Sequence, residues 1–330
     1  MLYPPGTEVA GVTAMRFCAA LAMFICSLIV GWAFLRSSRR MLSVPSLTRT
    51  NYRGAEVPTG AGVIFAPTVL VAYVVVAMVL SRPFSMLGNR IHSNLSLGAG
   101  MQTMLILVLG MCLVGFIDDI AGDGSARGFK GHLSEALHGR FTTGLFKAVL
   151  GFVVALAATA NLVILLHPAT PPGAYGKWFL DAALIALAAN LLNLLDLRPG
   201  RALKIFFPLL IMVILLTGRY TVLTFGGRVS YVPAYLFVIP AISIAAVALV
   251  LFPGDLKEKF MIGDSGANVL GAVIGLGLVL GLSFWWRLGA FIFLVFLTAL
   301  SENISFSRVI EGNRMLNWLD ELGRKRRDTA

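Results

Sequence analysis

Nine apolar runs, most close to twenty residues long and separated by polar stretches, leave this chain few folds to choose from. They cover about 15–35, 60–80, 99–117, 144–166, 178–197, 202–217, 232–252, 267–284 and 288–306. The hydrocarbon core of a bilayer is matched by a helix of about 20 residues. In that solvent the backbone satisfies itself only in helices or closed barrels. Barrel strands would alternate polar and apolar residues, and these runs do not. The chain is therefore predicted to be an all-α, polytopic transmembrane bundle: a single integral membrane domain over 1–330, with a basic cytoplasmic tail over 307–330. Only 13% of its 330 residues are charged, against about a quarter in soluble domains. The short sixth and eighth runs suit tilted or partly re-entrant segments.

Charge gives the orientation. If the nine runs cross in alternation, twenty of the 27 basic residues fall on one side, among them Arg39, Arg40, Arg53, Lys147, Arg198, Arg201 and the 324–327 cluster. Cytoplasmic loops carry this excess, so the N-terminus is expected outside and the C-terminus inside. Of the sixteen acids only Glu8 and Asp181 fall on the outer side. Topology needs only the bases; acids gathered with them indicate a site. The net charge of +11 is scattered between apolar runs, with no stripe for nucleic acid. Cys18, Cys26 and Cys112 lie inside apolar runs without ligand or pair spacing, which indicates neither a disulfide framework nor a zinc site. The N-terminus lacks a basic region before Arg16 and is not expected to be a cleaved signal.

Four inner segments carry groups capable of chemistry. The third run ends in Asp118-Asp119, two carboxylates at the negative end of a helix dipole and beside each other. Lys147, Lys130 or a divalent metal would offset them, and removing both charges is expected to leave stability unchanged or slightly higher; the bland alternative is a solvated loop. The fifth run carries Asn190, Asn193 and Asp196, and steps of three keep them on one broad helix face. Polar side chains there mark a cavity or pathway, or bond neighbouring helices. Pro199 and Gly200 then end the helix among Arg198, Arg201 and Lys204, a setting for phosphate.

Asp264 opens the eighth run in Phe-Met-Ile-Gly-Asp-Ser-Gly at 260–266. It is either an N-cap or, beside the free amides of Ser265 and Gly266, part of a phosphate or Mg²⁺–phosphate site. The segment from Asn51 to Gly62, with Pro58 and Gly60, reads first as a shaped loop. Its Tyr52 and Arg53 would otherwise stack on or pair with a nucleotide.

Together these segments resemble the polyprenyl-phosphate N-acetylhexosamine-1-phosphate transferase family, which includes the phospho-N-acetylmuramoyl-pentapeptide transferase type. The resemblance covers about 51–285. It rests on Gly-Phe-Ile-Asp-Asp at 115–119, Asn-x-x-Asn-x-x-Asp at 190–196 and Phe-Met-Ile-Gly-Asp-Ser-Gly at 260–266. It implies transfer of a sugar 1-phosphate from a UDP-sugar to polyprenyl (undecaprenyl) phosphate with release of UMP, in cell-envelope glycan synthesis. The implied cofactor is Mg²⁺, and the implied setting is the cytoplasmic face of a bacterial plasma membrane. Asp264 would then ligate the metal with Asp118. Asp118 and Asp119 would orient or deprotonate the lipid phosphate. Asn190, Asn193, Asp196, Lys147, Arg198, Arg201 and Arg53 would bind substrate. A family-like tenth span and a homodimer are both compatible with the chain.

Two departures from the family pattern stand out. Asp196 is followed by Leu-Arg-Pro-Gly, with Pro199 where the family usually carries a second acid. The four histidines, His92, His132, His138 and His167, include no late cluster. A catalytically silent relative acting as scaffold or regulator is the alternative they motivate. A transporter is the other; it would place polar groups near the midplane and show paired interrupted helices. The basic end at 324–327 is most simply an inner-leaflet anchor.

Overall fold

In the computed structural model the described residues are 10–85, 91–122, 142–166, 175–218, 220–225 and 228–324. Lys130, His132, His138, His167 and Lys325 to Arg327 lie outside them. Nine helices carry the nine apolar runs: α1 Ala10–Leu42, α2 Phe65–Ser85, α3 Ile91–Ala121, α4 Thr143–Leu166, α5 Tyr175–Leu195, α6 Arg201–Thr217, α7 Tyr235–Leu256, α8 Gly263–Gly281 and α9 Phe284–Ser301. Eight are long and apolar enough to cross a membrane. The exception, α6, has 17 residues with Pro208 inside. Two short helices follow, α10 Phe306–Gly312 and α11 Arg314–Glu321. The chain is thus an all-α, multi-pass membrane protein.

Two antiparallel hairpins interrupt the helices. β1 (Thr48–Thr50), just before the segment read as a loop, pairs with β2 (Glu56–Pro58) inside it. β3 (Tyr220–Phe225) pairs with β4 (Arg228–Pro233), and takes in the first residues assigned to the seventh run. The second hairpin has its cause in the sequence: both strands are rich in β-branched and aromatic residues, which favour extended pairing.

Helix α8 forms the centre. Some 83% of its apolar window is buried, against 11% for α9 at the periphery. It packs against α3, α5 and α6, and glycine makes the close approach. A Cβ on Gly271 would meet the backbone of Ala188 and Ala189, and one on Gly275 would lie 2.7 Å from Ile185 Cα. Water cannot drive helices together within lipid, so small residues that let backbones touch take over that task. Polar bonds add to it: Ser27 and Ser243 join α1 to α7 at 2.7 Å, and Asn161 donates to Thr103 at 2.9 Å between α4 and α3.

At one pole the end of α3, the start of α4, the end of α5 and the start of α8 meet. At the opposite pole Arg287 of α9 donates to both carboxylate oxygens of Asp181 in α5, at 2.7 and 2.6 Å. Asp181 and Arg287, both assigned to one side by the charge pattern, are therefore partners, and both are buried.

Candidate active site

The Asp-Asp pair divides its work. α3 ends at Ala121, so both acids occupy its last turn. Asp119 is buried and turns to the start of α8, where Oδ1 accepts from Asp264 N at 2.9 Å and Oδ2 from Ser265 N at 3.0 Å. A carboxylate on two amides at a helix N-terminus is stabilised by charge-assisted hydrogen bonds and by the dipole. Asp119 thus caps another helix, and the repulsion expected of the pair is relieved by α8. Asp118 turns instead to Lys147 of α4, at 3.2 Å.

This arrangement corrects two expectations. Asp264 is not the cap of α8: it sits in the first turn, behind Gly263, and the first two amides after that glycine are held by Asp119. Nor is the Ser265 amide, one of the two expected to face phosphate, open to it. Asp119 occupies the backbone nitrogens of Asp264 and Ser265, and the Ser265 hydroxyl bonds back to Ile262 O at 3.3 Å. The carboxylate of Asp264 is thereby released to face outward, where it pairs with Lys147 and accepts from Asn193 Nδ2 at 3.2 Å.

Four helices therefore bring Asp118, Lys147, Asn193 and Asp264 together. Glycine makes room for this junction. Gly60 and Gly263 have φ of +76° and +68°, where side chains are disfavoured. A Cβ on Gly263 would lie 2.6 Å from Asp119 Oδ1. The stretch read as a loop runs alongside 261–262: Met261 N donates to Pro58 O at 2.7 Å, Ala61 N to Met261 O at 3.1 Å and Gly62 N to Ile262 O at 2.9 Å. Arg49 adds a bond from Nη2 to Asp119 O at 2.9 Å.

The remaining expected residues are placed in three ways. Asn190 lies one turn before Asn193 on α5, and Asp196 follows the end of that helix. Burial pushes the Asp196 carboxyl well above its ordinary range, and the negative charges of Asp255, Asp264 and Asp119 act in the same direction. Arg53 and Arg198 line an open cleft of about 710 Å³ with Tyr52, Glu311, Trp318 and Arg324. Arg198 lies 4.4 Å over the Tyr52 ring and pairs with Glu311, while Arg53 pairs with Glu258 at 3.2 Å. Arg201 corrects the reading of it as a phosphate ligand. It is 2% exposed, and its Nε and Nη2 hold the two oxygens of Asp320 at 2.8 Å each.

Three structural acids were missed in the sequence. Asp255 accepts from Gly200 N at 2.7 Å and Ile262 N at 3.1 Å, fixing the break after α5 to the approach of α8. Glu258, at φ +57°, holds Asn51 at 2.8 Å as well as Arg53. Asp320 anchors the tail. A Pro-Gly-Asp at 253–255 closing an apolar run was the available signal for the first.

The donor set suits a hard cation. Asp118, Asp264 and the Asn193 amide offer oxygen, and Mg²⁺ is commonly held by one or two carboxylates plus substrate phosphates. Asp119 is committed to α8 and stands outside such a set. Among the described residues no group of three or more histidines, cysteines or acids is arranged to hold a metal by itself, so substrate oxygens would complete the shell.

No family model and no curated protein matches the chain.

Proposed function

We propose that this protein transfers a sugar 1-phosphate, of the N-acetylhexosamine type, from a UDP-sugar to polyprenyl phosphate at the cytoplasmic membrane surface. The observation that carries this reading is the convergence of Asp118, Lys147, Asn193 and Asp264 from four helices at one end of a membrane bundle. The family resemblance of those same motifs supplies the reaction.

In that reaction an oxygen of the lipid phosphate attacks the β-phosphorus of the UDP-sugar. The bond from that phosphorus to the α–β bridging oxygen breaks, and UMP leaves with the electron pair. Such transfer needs charge neutralisation and positioning more than covalent help. Lys147, already between two carboxylates, offsets phosphate charge. Asp118 orients the lipid phosphate and accepts its proton where it arrives as the monoanion. Asn193 holds the Asp264 carboxylate in its outward rotamer. Mg²⁺ held by Asp264 and Asp118 would supply further neutralisation of the diphosphate. Asp119 is a positioning residue, because it sets where Asp264 stands.

The silent-relative reading draws on Pro199 and on the cleft arginines, whose charges Glu258 and Glu311 already balance. Purified protein given undecaprenyl phosphate, Mg²⁺ and a panel of UDP-sugars separates the two. Release of UMP with at least one donor is expected, and it should fall at least about a hundredfold in Asp264→Asn, the scale of a lost transition-state contact. No release with any donor, from protein that melts cooperatively, would sink the enzyme reading.

A further inference from the structure

The tail helix α11 is amphipathic the wrong way round for a soluble protein. Its polar stripe faces the bundle: Asp320 is buried against Arg201, and the backbone oxygens of Leu319 and Asp320 take Lys204 Nζ at 3.2 and 2.6 Å. Its apolar stripe is exposed. Met315 is 71% exposed, Trp318 61% and Leu322 54%, with Leu316 and Leu319 also open. At 3.6 residues per turn Met315, Leu316, Trp318 and Leu319 fall on one continuous side, with Leu322 just past the helix end. The helix is held by the polar contacts; Trp318 and Leu322 border the cleft, and Met315, Leu316 and Leu319 are left exposed beside them.

We infer that α11 is an in-plane membrane helix, its apolar face seated in the headgroup region of an anionic leaflet. Continuity points to lipid. The tail leaves α9, the most lipid-facing helix of the bundle, whose Ile292, Phe293 and Phe296 are each 58% exposed. Only the four residues 302–305 separate α9 from α10, so α10 and α11 start at the membrane boundary. Trp318 belongs at that level, as tryptophan does in interfacial belts. Charge points the same way. Glu311 and Asp320 are paired with Arg198 and Arg201, and against the remaining acids Glu321 and Asp328 stand the exposed Arg308 and Arg314 and then Lys325, Arg326 and Arg327. A short helix binds a surface weakly alone, and apolar burial plus anionic attraction add up only when it is tethered. Here α9 and the Arg201–Asp320 pair are the tether. This inference stands apart from the transferase reading and is tested without an activity assay.

The test uses full-length protein with Cys18, Cys26 and Cys112 replaced by alanine and one cysteine introduced at Met315, Leu319 or Asn317. A polarity-sensitive fluorophore is attached, and the protein is reconstituted in phosphatidylglycerol–phosphatidylethanolamine vesicles. Lipids spin-labelled near the headgroup should quench the labels at 315 and 319 several-fold more than the label at 317, on the polar side. Replacing phosphatidylglycerol with phosphatidylcholine should reduce that contrast. Equal quenching at the three positions would overturn the inference. So would energy transfer between labelled copies without lipid quenching, which would show a second copy covering the face. If a cysteine variant does not fold, brominated lipids give the same reading from the fluorescence of wild type minus Trp318→Phe. An unquenched Trp318 component overturns it too.

Discussion

At the scale of single residues, Asp118 and Asp119 can be told apart by experiment. Asp119 makes two charge-assisted bonds to the start of α8, and hydrogen bonds to charged groups are worth about 1.5–3 kcal/mol. Asp119→Ala should therefore lower the melting temperature clearly, by an amount equivalent to about 2–3 kcal/mol, whereas Asp118→Asn should leave it close to wild type. Differential scanning of both variants in one detergent checks this; equal melting would remove Asp119 from its capping role. Asp320 carries a pH dependence. Burial opposes its charge, but hydrogen bonds from Arg201 and the charge of Arg324 outweigh it and hold the carboxyl below its usual range. A carboxyl depressed in the folded state contributes stability that is complete above its unfolded pKa of about 3.9 and is lost as pH falls through the folded value. The stability gap between wild type and Asp320→Asn should then be constant from neutral pH down to about 4 and shrink below it. A gap that does not change with pH would mean that the Arg201 pair does not hold the charged form.

At the scale of elements, the glycines of α8 decide whether the site exists. Gly271 lies so close to Ala188 and Ala189 that a side chain there would meet α5 backbone. Gly271→Leu must push α5 from α8, at about 1–3 kcal/mol for an overpacked contact and often more where backbone is struck. Because Asn193 is on α5 and Asp264 on α8, the same shift separates two groups of the site. Reduced thermal stability together with lost UMP release is expected, and a variant unchanged in both would contradict the packing. The β1–β2 hairpin and the Asn51–Glu258 bond belong here also. They pin these connecting segments together, so that Tyr52 and Arg198 meet across the cleft from segments distant in the chain.

At the scale of the molecule, the division of charge between two poles makes a topology prediction. A reporter fused after Arg327 should be cytoplasmic, and one inserted near Gly173 should be outside; both points lie beyond the described residues and carry no structural account. Reporters found on the same side would break the alternation of nine helices and scatter the acids now drawn together.

Much of this was legible in one dimension. Apolar run length selects helices in lipid because backbone hydrogen bonds have no other partner there, and that requirement is local to each run. Segregation of Asp118, Lys147, Asp196 and Asp264 to one end follows from the same alternation. What the chain order did not contain was the use of each polar group. Asp118 and Asp119 are adjacent in sequence, yet one meets α4 and the other α8; Arg201 and Arg198 are three apart, yet one is buried on Asp320 and the other lines a cleft. Ion pairs and caps act over a few ångströms, and those distances are set by how helices cross, by Gly62 against Gly266 and Gly271 against Ala188. The membrane class and the end at which the site forms were decided by residue type and spacing. The roles within the site were decided by tertiary packing, since only packing brings one carboxylate to an amide and its neighbour to an ammonium.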